Sequence, residues 1–159
     1  MFNYFAYGSC MNFKSLSETI QENAAGIFAG AFMLPKYDLL FNYPSTNGLD
    51  CFLNIEANHT AQVWGGVFKI NDSQLNQIRV REAFFKNRYA EKEVQLIRED
   101  GKEIRALTYI ANYTTPEEGN PGSRYAALVK QGLKDCQLPD HYRQKIEDKI
   151  FALTSRIKD

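Results

Sequence analysis

At 159 residues, with 44% apolar and 13% aromatic content, the chain is long enough to bury a core and too apolar for disorder, and one domain over residues 1–159 is expected. Nineteen basic residues balance nineteen acidic ones; without a basic cluster there is no electrostatic footprint for nucleic acid and no polybasic patch for anionic lipid. No signal-peptide pattern is visible and no apolar stretch approaches the roughly 20 residues of a membrane span, so a cytoplasmic protein without a membrane partner is expected.

The first element, Phe2 to Tyr7, is a short aromatic-rich run that reads as a strand and breaks at Gly8-Ser9. Gly8 lacks a Cβ, so the chain there can turn sharply or approach a ligand closely, and successive N–H groups in such a turn can form a nest for an anion or a carbonyl oxygen. Asn12 is placed to cap a helix carrying Phe13, Leu16 and Ile20 on one face. Gly26 to Leu34 is continuous and apolar, as a strand buried on both faces would be; Pro35 interrupts it and Lys36 to Tyr43 resumes an extended pattern. Pro44 to Gly48 is a turn by composition. Two further strands follow, one around Cys51, Leu53 and Ile55 and one over Gln62 to Ile70, the second with Gly65-Gly66 in its middle. Paired glycines inside a strand mark a bulge, a barrel bend or a close backbone approach.

Asp72 is expected to cap a helix over 73–84. Tyr89 to Arg98 and Glu103 to Ala111 flank Asp100-Gly101, a strong hairpin signal. Thr114 to Gly122 is a polar loop, Ser123 can cap a helix with Tyr125, Leu128 and Val129, and Pro139 precedes a last helix with Tyr142, Ile146 and Ile150 at four-residue spacing. Many strands with scattered helices give an α+β class, and the long strands with mid-strand glycines favour a small, mostly antiparallel β-barrel. Neither an exposed apolar stripe nor a heptad run is evident, so the oligomeric state stays open, a homodimer included.

The chemistry-bearing residues are few. Cys10, Cys51 and Cys136 are an odd, widely spaced set, which argues against a disulfide framework and a zinc ribbon; His59 and His141 have no metal-ligand spacing. No metal and no nucleotide or flavin cofactor is therefore expected, and no phosphate-binding glycine motif is present. On the 73–84 helix, Leu75 and Ile78 mark the inward stripe, and Glu82 lies on it, seven residues beyond Leu75 and four beyond Ile78. Taking a carboxylate out of water raises its pKa and suits it to proton transfer near neutral pH. Alternatively, Glu82 turns out to water or pairs with Arg79, Arg81 or Lys86. Cys10, just after a Gly-Ser turn, is a rival candidate as a nucleophile.

Residues 4 to 9, Tyr-Phe-Ala-Tyr-Gly-Ser, resemble the Tyr-Phe-Ala-Tyr-Gly-Ser-Asn motif of the γ-glutamylcyclotransferase family, with Cys10 at the Asn position. Val63-Trp64-Gly65, then Glu82 ending a helix, then Tyr89 opening a strand, follow the same family's order. Tyr125, after Pro121-Gly122, stands where that family has a substrate-contacting Tyr; by periodicity alone it is a core residue on the face of Val129. Two departures are Ala83, where the family has Gly, and Arg79, where it has an acid.

The resemblance implies a small mixed barrel with helices outside, and cyclisation of a γ-glutamyl group to 5-oxoproline with release of an amino acid or an amine. It implies Glu82 as general acid/base, and Tyr4, Phe5, Ala6, Tyr7, Gly8, Ser9 and Tyr125 as the residues binding a small γ-glutamyl substrate. A γ-glutamylamine cyclotransferase and a non-catalytic module holding a small carboxylate-bearing metabolite are the alternatives.

Overall fold

The computed structural model describes residues 1–46 and 50–155, apart from the side chain of Phe85. Five strands, β1 (Phe2–Ala6), β2 (Phe28–Pro44), β3 (Cys51–Ile70), β4 (Tyr89–Ile97) and β5 (Glu103–Ala111), close a barrel in the order β1-β3-β2-β4-β5. Every pairing is antiparallel except the closing one, where β1 runs parallel to β5 at Tyr4 and Leu107. Helices α1 (Phe13–Ile20), α2 (Ala24–Ile27), α3 (Asp72–Arg81), α4 (Ser123–Asp135) and α5 (Asp140–Ser155) complete the α+β fold. Large side chains make up the core, with Phe5, Phe41, Phe68, Leu53, Ile55 and Leu96 fully buried. No helix among the described residues is long and apolar enough to cross a membrane.

Several elements differ in detail from the expected ones. The strands around Cys51–Ile55 and Gln62–Ile70 are one strand, β3. Its register against β2 passes from Pro35–Gln62 to Tyr37–Ala57, so residues 58–61 bulge out opposite Lys36, which sits at φ 66°. Pro35 does not end β2, because that bulge absorbs the irregularity. Gly26 belongs to the short α2, and β2 is half-buried over Phe28–Ala31 rather than covered on both faces. Helix α3 is capped by Asn71, not Asp72: the Asn71 side chain accepts from the Gln74 N–H, and the Gln74 side chain accepts from the Asn71 N–H. Helix α4 has Gly122 at its cap, with Ser123 already inside. The turn expected over Pro44–Gly48 is described only to Thr46; Asn47 and Gly48 lie outside the described residues.

Asn12 caps α1 as expected, accepting from the Ser15 N–H at 2.9 Å, while Leu16 and Ile20 are buried. Phe13 packs on Phe28 and Phe68. The mid-strand glycines allow close approach: a Cβ on Gly65 would stand 2.3 Å from the Ala6 carbonyl oxygen, and one on Gly66 2.4 Å from Cys136 Sγ. They let β1 and the end of α4 seat tightly on β3, and so fix where the turn after β1 emerges.

Candidate active site

A cavity of about 460 Å³ is lined by the end of β1, its Gly-Ser turn and the end of α3. β1 continues into a 3-10 turn over Ser9–Met11, held by Met11 N–H to Gly8 O and Asn12 N–H to Ser9 O. The N–H groups of Gly8, Ser9 and Cys10 donate to no protein group among the described residues. A Cβ at Gly8 would lie 3.0 Å from the Tyr125 hydroxyl, so glycine there gives that hydroxyl room. Tyr125 itself accepts a hydrogen bond from the Leu53 N–H at 3.1 Å. Its own proton is thus free to donate elsewhere.

Helix α3 ends at Arg81, with Glu82 as its last cap residue. Ala83 takes a left-handed conformation at φ 51°, which stops the helix and leaves the Glu82 side chain on the cavity wall. Leu75 and Ile78 below it are buried, so the inward stripe ends in a carboxylate. Glu82 is half-buried. Tyr4 Oη and Cys10 Sγ each donate toward Glu82 Oε1 at 3.5 Å. Burial pushes its pKa above the ordinary 4.5, opposed by the nearby Arg81 charge and by these two donors. Among the described residues, none of the three neighbouring cations, Arg79, Arg81 and Lys86, forms an ion pair with Glu82. Arg79 makes a two-pronged contact with Glu91, 2.8 Å on each prong.

Arg81 gives its four terminal N–H groups to neutral partners: Ser15 O (3.1 Å), Thr19 Oγ1 (2.8 Å), Ser9 Oγ (2.9 Å) and Ser15 Oγ (2.9 Å). It ties the Gly-Ser turn, α1 and the end of α3 together beside the carboxylate. Because Ser9 Oγ accepts from Arg81, the Ser9 hydroxyl proton, like that of Tyr125, is free to point into the cavity.

Among the residues singled out in the sequence, Tyr4, Phe5, Tyr7, Gly8, Ser9, Glu82 and Tyr125 line this cavity together. Ala6 does not; it is 1% exposed and turns its carbonyl toward Gly65 behind the wall. Tyr7 is tied off by donation to the Tyr109 carbonyl at 2.5 Å. Sequence reasoning missed Arg81 as a hub, and it missed Tyr43, Arg88 and Tyr109 altogether. Six of the nine tyrosines line the cavity, so the tyrosine excess itself was a usable signal.

Cys10 is buried, and its thiol is pushed up to about 11 by that burial. A thiol with so little thiolate at neutral pH is a poor nucleophile. Alkylation of the native protein with iodoacetamide at pH 7.5 is expected to label the half-exposed Cys51 and to reach Cys10 only after denaturation. Peptide mass spectrometry reads this directly, and rapid labelling of Cys10 in the native protein would restore the nucleophile reading. Among the described residues, no group of three or more His, Cys, Asp or Glu side chains could hold a metal ion.

The model of the AIG2-like family matches residues 62–146, which include Glu82 and Tyr125 but not the Tyr4–Ser9 turn. The gamma-glutamylcyclotransferase of Bos taurus is 30% identical over 151 residues, covering 91% of this chain and 77% of that protein. The Homo sapiens gamma-glutamylcyclotransferase is 29% identical, with 92% and 77% covered. A solved gamma-glutamyl cyclotransferase structure superposes with a TM-score of 0.82 at 27% identity, over 92% of this chain and 86% of that one.

Proposed function

Because the chain belongs to the AIG2-like, γ-glutamylcyclotransferase family, we propose that it is an enzyme cyclising the γ-glutamyl group of a small amide to 5-oxoproline, with Glu82 moving the proton. The observation that carries this reading is Glu82 itself: a carboxylate without an ion pair, raised in pKa by burial, lining one cavity together with a turn of free N–H groups.

The substrate's α-amine attacks its own γ-carbonyl carbon, forming the C–N bond of a five-membered ring. Nucleophile and electrophile share one molecule, so the cavity's main task is to hold the bent conformer, and such alignment removes up to about 7–11 kcal/mol of barrier. At neutral pH the amine is largely protonated, and Glu82 takes the proton that must leave it. The γ-carbonyl oxygen becomes an oxyanion. The Gly8–Cys10 N–H groups and the free protons of Ser9 and Tyr125 supply donors for the anionic oxygens of the γ-glutamyl group, in a site where fixed dipoles act strongly. When the tetrahedral carbon collapses, the bond to the leaving nitrogen breaks and Glu82 returns a proton to that nitrogen, while the ring nitrogen, which began as an ammonium, sheds its second proton to water as the lactam forms. The products are 5-oxoproline and a free amine, and Glu82 ends ionised as it began.

The test is release of 5-oxoproline from a panel of γ-glutamyl dipeptides and γ-glutamyl amines, followed by chromatography. Turnover of at least one member is expected. If purified, folded protein turns over none of them but binds one, a non-catalytic binding module becomes the better account.

A further inference from the structure

The cavity wall carries a second arginine whose position is not explained by proton transfer or by the Gly-Ser turn. Arg88 lies between the left-handed Asn87 and the start of β4. Its backbone is pinned on both sides, by Arg88 N–H to Ala83 O (3.2 Å) and by Asn112 N–H to Arg88 O (2.9 Å). Its guanidinium Nε–H donates to the Tyr43 hydroxyl at 2.5 Å, one Nη2 N–H donates to the Pro44 carbonyl at 3.1 Å, and Cζ lies 5.1 Å from the Tyr43 ring centroid. The plane is therefore fixed, and only neutral groups fix it.

A guanidinium has five N–H donors, and these contacts engage two of them. No carboxylate among the described residues forms an ion pair with Arg88, whereas Arg79, Arg98, Arg105 and Arg143 each have one. Arg81, the other cavity arginine, has spent all four terminal N–H groups on hydroxyls and a carbonyl. Arg88 is thus a half-buried cation on the cavity wall with an open edge, the geometry that takes a carboxylate with two parallel hydrogen bonds.

Its place along the cavity follows from the tyrosines. Tyr43 packs against Tyr89 with ring centroids 4.5 Å apart; Tyr89 donates to the Leu53 carbonyl, and the Leu53 N–H donates to Tyr125, which abuts Gly8. Arg88 lies at the far end of that series from the Gly-Ser turn, where the leaving part of a bound γ-glutamyl amide would extend. We propose that Arg88 is the leaving-group selector of this cavity, reading a carboxylate on the departing amine. This rests on the reading that the cavity holds a γ-glutamyl amide. The preferred substrates are then amides of amino acids or peptides with a free carboxylate, and a leaving amine with a second ammonium meets like charge. Asp50 lines the same mouth, near Gly122, and is the one acidic group there that would favour the opposite choice.

The test compares γ-glutamyl-alanine, γ-glutamyl-alaninamide and the γ-glutamyl amide of 1,4-diaminobutane, with wild type, Arg88→Leu and Arg88→Lys. Wild-type kcat/KM is expected to favour the free acid over its carboxamide by about tenfold or more, chiefly through KM. In Arg88→Leu that ratio falls to about twofold, and Arg88→Lys is intermediate, with charge but no fork. An unchanged ratio in Arg88→Leu, or a preference for the diaminobutane amide, overturns the proposal. Calorimetric binding of γ-glutamyl-alanine to Glu82→Gln, with and without Arg88→Leu, separates this from the catalytic reading. A loss of affinity of about tenfold supports the subsite even if nothing is turned over, and equal affinities reject it even if cyclisation is observed.

Discussion

Glu82→Gln is expected to slow 5-oxoproline release by about 10²- to 10⁴-fold while leaving the protein folded, with a Tm equal to or above that of the wild type. Glutamine keeps the shape of the side chain and an oxygen that can accept from Tyr4 Oη and Cys10 Sγ. What it loses is the ability to take a proton from the substrate amine. The stability side follows from the raised pKa. A carboxyl group that holds its proton more tightly folded than unfolded favours the folded state most at low pH, and that benefit is lost as pH rises from about the ordinary 4.5 through the raised folded value. The ionised Glu82 is therefore a cost at neutral pH, and the neutral amide removes it. The two proteins should converge in Tm below pH 4.5 and diverge above it. For the wild type, the acid limb of kcat/KM is expected above pH 4.5, since the base must be ionised. Wild-type rates in Glu82→Gln would rule Glu82 out as the proton carrier.

Arg81→Met is expected to cost about 2–4 kcal/mol of stability and to move the acid limb of kcat/KM to higher pH. Methionine fills comparable space but donates nothing, so Ser9, Ser15 and Thr19 lose the cation that binds them. Lysine at this position offers a single ammonium and cannot span the three hydroxyls. The direction of the pH effect follows from the field at Glu82. Burial raises its pKa and Arg81 is the leading influence holding it down, so removing the charge lets the pKa rise further. Arg81→Lys should keep the acid limb near that of the wild type while losing much of the stability. Chemical denaturation and pH–rate profiles of the two variants separate tether from charge. A Met variant with an unmoved acid limb would mean that Arg81 only holds the turn.

Much of this architecture is legible in the chain because its signals are local. The Asp100-Gly101 hairpin, the Asn12 cap and the Tyr142–Ile146–Ile150 face depend on neighbours a few residues away, and all are present. Glu82 was readable for the same reason: the stripe through Leu75 and Ile78 runs straight into it. The continuity of β3 was not readable, since residues 56–60 are exposed and mostly polar, and those from 58 to 61 have no partner on β2. Arg81 and Arg88 were hidden for a related reason. Their partners lie more than 40 residues away, in α1, the Gly-Ser turn, and Tyr43 and Pro44. A cation that binds hydroxyls and carbonyls leaves no charge pattern in the sequence. Ala6 reads as part of the motif, yet it is buried behind the wall with its backbone carbonyl against Gly65.

The alanine that follows Glu82 has a consequence for selectivity. Ala83 is held at φ 51°, where a Cβ costs about 1–2 kcal/mol and where glycine would be relaxed. Glycine at this position would also leave the peptide free to visit many neighbouring conformations. Alanine has few wells near this one, so the joint carrying the carboxylate is stiff. Under the proposed reaction, a stiff joint would not follow the substrate, and an amide whose nitrogen lies off the carboxylate's line would be bound without being cut. Discrimination among γ-glutamyl compounds would then be a matter of presentation rather than of affinity alone, with poor substrates acting as competitive occupants of the same cavity.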